Sequence, residues 1–186
     1  MPVNTIFRDT TRTVSVTVLF AIALLSLSAC DGVERPVAPT AAPDAPRFTA
    51  GSGSTPTFIS QATFPDLAKV KRVTKDWQVE VKAKDGLEMI VRSFAYNTGA
   101  FTGWHKHPGP VFIQVIEGTV TFFEADDPCT PIVVTAGHGY LDSGDHGHIG
   151  RNLSGAPARD VTVFLAPPGT QVSQLRIDMP APAVCP

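Results

Sequence analysis

Five histidines stand in the chain, His105, His107, His138, His146 and His148, and four of them form two pairs spaced i and i+2. Residues two apart in a strand project from the same face. His105 and His107 therefore point together, Lys106 points away, and Pro108-Gly109-Pro110 turns the chain directly afterwards. Two imidazoles on one face, joined by His148 from another strand, suit a facial triad for a divalent metal. A lone pair with this spacing is weak by itself, because many such pairs are ordinary surface residues. His146 shares a face with His148 and reads as a fourth ligand or, preferentially, as a side chain lining the mouth of the site beside the ligands. His138 lies between two glycines and reads as an exposed turn residue, and Glu117 beside Gly118 reads as solvated.

Such a site needs a frame, and from residue 76 onward the pattern is one of short strands. Residues 78–83 alternate polar and apolar side chains, as a half-buried strand does. Asp85-Gly86 is expected to turn a hairpin into a second strand over 87–96, and Asn97-Thr98-Gly99 to turn the chain again. Residues 111–116 read as a buried run that Glu117-Gly118 ends, with 119–124 returning. Further strands are expected over 132–135, 139–141, 146–151, 161–165 and 172–177. Regular short strands with turn signals between them make an all-β antiparallel sandwich or barrel. Residues 64–68 suggest a short turn or helical piece, and no helix longer than a turn or two is demanded. Trp104, Phe112, Phe122, Phe123 and Phe164 read as barrel packing rather than as a substrate box.

Gly99, five residues, His105-Lys106-His107 and then Gly118 resembles the first motif of the cupins. Gly137, Ser143, Asp145, His148 and Asn152 follow the spacing of the second cupin motif, and Gly103 to Pro110 resembles a group of small bacterial cupins. The resemblance implies an antiparallel double-sheet jelly-roll barrel in which His105, His107 and His148 converge on a divalent metal, with Val111, Tyr140 and Asn152 at the pocket. Iron, manganese, zinc, nickel and copper all suit imidazole. The departures are specific. Val111 occupies the motif's glutamate position, Ser143 its proline and Asp145 its glycine. Gln114 could replace the missing oxygen ligand only through a bulge, since its strand parity differs from that of Val111. Three neutral imidazoles leave the metal its full charge, which favours an anionic ligand. Two function classes follow: a binding module for a small molecule, and a metal-dependent enzyme such as a dioxygenase or isomerase. A metal-free degenerate barrel used for binding or for homodimer contacts is a third.

Arg8 and Arg12 precede an uncharged, mainly apolar stretch over residues 14–27. It is shorter than the roughly 20 apolar residues of a spanning helix and suits the core of a signal peptide. Leu27-Ser28-Ala29-Cys30 resembles the lipobox of bacterial lipoproteins, which implies cleavage before Cys30 and lipidation of its thiol. The chain thus divides into a signal peptide over 1–29, a lipidated Cys30 with a Pro/Ala/Gly/Ser-rich tether over 30–57, and a barrel domain over 58–186. The expected location is the bacterial cell envelope, lipid-anchored and extracytoplasmic, in the periplasm or on the outer face of the cytoplasmic membrane. Cys129 and Cys185 then remain as an even pair in an oxidising compartment and are expected to form a disulfide, with free or metal-bound thiols as the rival. Lys+Arg is 15 against Asp+Glu 17, a net charge of -2. No basic cluster offers a surface for nucleic acid.

Overall fold

A computed structural model of the chain describes residues 48–65 and 69–185. The expected signal peptide, Cys30 and residues 30–47 of the tether lie outside them, as do residues 66–68. The strands are β1 (Ser52–Phe64), β2 (Val70–Val73), β3 (Gln78–Val81), β4 (Leu87–Phe101), β5 (His105–Lys106) and β6 (Val111–Glu117). They continue as β7 (Thr119–Glu124), β8 (Asp127–Thr135), β9 (Gly139–Asp142), β10 (His148–Arg151), β11 (Ala158–Ala166) and β12 (Ile177–Asp178).

Pairing is antiparallel throughout and makes two layers. One runs β1-β4-β11-β6-β9, and the other runs β12-β5-β10-β7-β8. Arg151 opposite Phe101 joins them between β10 and β4. The all-β double-sheet jelly-roll barrel is therefore present. Side chains alternate along the strands, so the inner positions Ile90 and Tyr96 of β4, Val111, Ile113 and Val115 of β6, and Phe164 of β11 fill one core. Trp104, Phe123 and Ile149 form a second cluster beneath β5 and β10.

Several boundaries differ from the sequence reading. β1 begins at Ser52, inside the segment read as a tether, and pairs with β4 from Ser54↔Tyr96 to Phe64↔Leu87. Its small polar residues gain a ladder partner that composition does not reveal. β1 is an edge strand, so the missing N–H of Pro56 is tolerated there. The strand at 78–81 is real but does not form a hairpin with 87–96. It pairs with β2 in a separate exposed ribbon, while β4 takes β1 as its neighbour. Asp85 and Gly86 both adopt positive φ, 62° and 87°, where the ribbon returns to the barrel.

Asn97-Thr98-Gly99 does not reverse the chain. β4 runs through it to Phe101, and the β1–β4 register shifts there between Ser54 and Ser52. Residues 111–116 alternate rather than forming a wholly buried run, which leaves Phe112 exposed on the outer face instead of in the packing. Residues 172–177 are not a strand: a 3-10 turn (Val172–Gln174) leads into β12. Cys129, in β8, is disulfide-bonded to Cys185, their Cα atoms 5.3 Å apart, and this ties the end of the chain to that strand.

Asp160 is fully buried on β11. Its carboxylate accepts hydrogen bonds from the Tyr96 hydroxyl at 2.8 Å and the Thr162 hydroxyl at 2.9 Å. Burial nevertheless pushes its pKa up to about 6, against the opposing effect of those hydrogen bonds. A carboxyl with a raised folded pKa stabilises the fold while protonated, and that contribution is lost as pH rises from about 4 through about 6. Asp160→Asn is expected to remove this step. Thermal melts of both proteins from pH 4 to 7 should therefore converge on the acid side and show the variant gaining relative to the parent toward neutrality.

Candidate metal centre

His105 opens β5, His107 follows it, and His148 opens β10 directly opposite His105. Trp104 anchors the first pair from below. It is buried, its N–H donates to Thr49 Oγ1, and its carbonyl accepts from Met179 N–H. After His107 the chain turns at Pro108-Gly109-Pro110 against Ser143-Gly144. A Cβ on Gly109 would lie 2.2 Å from the Leu165 carbonyl oxygen, and one on Gly144 would lie 2.2 Å from that of Gly109. Both positions therefore need glycine. Gly144 also takes φ +93°, which glycine adopts without strain.

The three imidazoles are 6, 8 and 3% exposed for His105, His107 and His148. Their candidate ligand atoms all lie within 4.8 Å of one another. Nitrogens bound at about 2.1 Å to one ion in a facial or tetrahedral set are about 3.0–3.4 Å apart, so an ion would draw the furthest-separated rings together by up to about 1–2 Å. His105 Nδ1 is 2.8 Å from the Gly103 carbonyl oxygen, and His107 Nδ1 is hydrogen-bonded to that of Leu175. A carbonyl only accepts, so both Nδ1 atoms carry the proton and both Nε2 lone pairs are free for a ligand role. Burial lowers the pKa of His105 to about 3 and that of His107 to about 4. It drives His148 well below its ordinary value, with the two neighbouring imidazoles adding to the effect. All three are neutral near pH 7, the form that binds metal.

A carboxylate joins them that residue spacing alone does not assign to the site. Asp142 is 2% exposed, at the end of β9. Its Oδ1 accepts from Gly144 N–H at 3.0 Å. Its Oδ2 lies 3.5 Å from His148 Nδ1 and 4.0 Å from His107 Nε2. Among the described residues neither Oδ2 nor His148 Nδ1 has any hydrogen-bond partner. Burial raises the Asp142 pKa. Two orphaned buried polar atoms facing one another beside three neutral imidazoles fit a cation-binding centre. Asp142 is the register partner of Val111, so its carboxylate stands across the β6–β9 pair from that side chain. One signal could have found it: Tyr140 and Asp142 share a parity in β9, and both point inward.

The remaining candidates separate. Gln114 is exposed on the outer face of β6, with no bulge to turn it inward, and is not near the triad. His146 is also exposed and points to Asp126 and Asp145, 3.3 and 3.7 Å away. It lies before β10 begins, so strand parity does not bind it to His148. Val111 is fully buried in core packing. The Tyr140 hydroxyl donates to Glu124 Oε1 at 3.0 Å rather than reaching the cavity, and its ring stacks on Phe122. Asn152 is a loop clamp: its Nδ2 donates to the carbonyls of Asn97 and Ala156, and its Oδ1 accepts from Ser154. His138 and Glu117 are exposed, the latter paired with Arg159.

Two cavities adjoin the triad. An inner one of about 30 Å³ reaches His105, His107 and His148 between Phe122 and Phe164, room for one or two waters. An outer one of about 280 Å³ opens from His105 and His107 toward Arg92 and Arg176, with Gly51, Ser54 and Pro56 in its wall. Part of the segment read as tether is therefore part of the site.

The chain matches no protein-family model and no curated protein. Solved structures match in part. A conserved protein with a double-stranded β-helix domain from Klebsiella pneumoniae is 18% identical, with a TM-score of 0.41, over 49% of this chain and 74% of that one. A cupin domain from Bordetella pertussis is 17% identical, with a TM-score of 0.41, over 61% and 93%. A cupin 2 conserved barrel domain protein from Leptotrichia buccalis is 13% identical, with a TM-score of 0.38, over 53% and 40%.

Asp142→Asn keeps the shape but removes the negative partner of His148. It is expected to weaken divalent-metal affinity by about 10–100-fold with little change in melting temperature of the metal-free protein. Competition titration with a chromophoric chelator measures this, and unchanged affinity would remove Asp142 from the centre.

Proposed function

We propose that the protein is a membrane-tethered, extracytoplasmic cupin that binds a divalent metal through His105, His107 and His148 and, by it, a small ligand. The observation that carries the reading is the convergence of three buried, neutral imidazoles, two with fixed tautomers, of which His105 and His107 also line an open cavity. A bound divalent ion would supply Lewis acidity there. The chain's own contribution is orientation: Gly103 and Leu175 fix two rings by their carbonyls, Asp142 faces the third, and Phe122 and Phe164 restrict water.

A metal-dependent enzyme on the same centre is the second reading. One observation favours it: Asp142 places a buried carboxylate beside His148, the group an acid-base role would need. Pairing of two copies through the exposed apolar side chains of Phe112 and Leu141 on the outer face is part of the proposal.

The first experiment is elemental analysis of the full chain, produced without affinity metals, beside a His105→Ala/His148→Ala variant. Near-stoichiometric metal in the parent and none in the variant is expected, and the element is then identified. No metal in either, even after loading, would make the histidines a remnant and sink the reading.

Anchoring rests on Leu27-Ser28-Ala29-Cys30. In a bacterial host, Cys30→Ser is expected to abolish incorporation of labelled fatty acid and to move the protein from the membrane fraction. Continued labelling of the variant would overturn the lipidation.

A further inference from the structure

Along β4 the side chains of Ile90, Arg92, Phe94 and Tyr96 share one parity, and Ile90 and Tyr96 are buried core residues. Arg92 therefore points into the barrel, where a cation is costly unless paired. Its Nε is buried and has no hydrogen-bond partner among the described residues. No carboxylate among them lies within ion-pair distance of it. The guanidinium lies over the Phe94 ring, its Cζ 5.1 Å from the ring centroid, a cation–π contact. It lines the outer cavity together with His105 and His107.

Arg176, at the same rim, differs. Its Nε already donates to Asp178 Oδ1 at 2.6 Å. Arg92 is the cation left without an answering anion. A guanidinium fork matches a carboxylate through two parallel hydrogen bonds. Between that fork and the histidines the wall is Pro56, Phe94, Phe164 and Leu175, which suits carbon rather than a fully hydrated ion. The cavity, about 280 Å³, lies at the small end of ligand pockets.

We propose that Arg92 is the recognition group for the carboxylate of a small organic acid whose other end faces the histidine centre, an assignment that rests on the site reading above for that other end. The Arg92–Phe94 pair sets the position of the acid. The apolar wall carries its body, and the histidine end determines which polar group completes it. Ser54 and Pro56 close the side of the cavity, so the first strand of the barrel shapes the same subsite.

The test uses the full chain, metal-free and zinc-loaded, with glycolate and propionate as probes. Glycolamide and propionamide are the neutral matches, and inorganic phosphate is the comparison anion. Ligand-observed NMR titration should show each acid bound about tenfold or more tightly than its amide, the size of one charge-assisted hydrogen bond. In Arg92→Met that preference should fall to within about twofold, with the circular dichroism of the parent retained; Arg92→Gln carries the same comparison if the Met variant does not fold. Three results would overturn the proposal: no preference in the parent, an unchanged preference in the variant, or phosphate bound as tightly as the acids. Metal content read on the same samples separates the two readings. Acid preference in a protein that takes up no metal sinks the metal centre alone. Zinc-loaded protein with no acid preference sinks the Arg92 subsite alone.

Discussion

His148 faces His105 across an antiparallel strand pair, and this pairing brings residues 43 positions apart into one cluster. Opposed side chains on one face of such a pair lie about 5 Å apart at Cβ, and here the imidazole centroids are 4.5 Å apart. His107 reaches the same point from beyond the end of β5, held by Leu175 through its Nδ1. A slip of one residue between β5 and β10 would turn His148 to the opposite face and dissolve the centre. Much of the surrounding structure guards that register. Trp104 is packed under β5, Gly109 and Gly144 allow two turns to touch, and the C-terminal segment pairs β12 with β5.

The electrostatic character of the site follows from burial. Desolvation keeps the three histidines uncharged, so they repel neither one another nor an incoming cation. The same burial makes Asp142 costly as an isolated anion and leaves its Oδ2 without a partner. Arg92 carries the opposite charge in the wall of the outer cavity. The interior thus holds one orphaned anionic group beside the triad and one orphaned cationic group away from it. Each is the kind of buried polar atom that a closed apolar core would not retain.

The segment around Ser54 and Pro56 contributes in an unexpected way. Its composition is that of a linker, yet it forms an edge strand on β4 and walls the cavity. The C-terminal segment behaves similarly. It forms no strand before Ile177, but Leu175 supplies both core packing and the carbonyl that fixes His107, and the Cys129–Cys185 disulfide holds the tail beyond it. Two segments of low regular content thus complete a site whose main residues lie on strands.

The sequence by itself determined the fold class, because period-two alternation and turn residues are local properties. It also singled out His105, His107 and His148, through spacings that survive any change of surroundings. It could not assign strand partners, since pairing depends on residues far away in the chain. For that reason local pattern matches β3 to β4 rather than to β2, and assigns residues 52–57, the first part of β1, to the tether. Tertiary structure alone decided which side chains face the cavity. It turned Gln114 and His146 out to solvent and made Asn152 a loop clamp. It also brought Asp142, across from Val111, to the histidines, because the register between neighbouring strands is not encoded in the chain's local pattern.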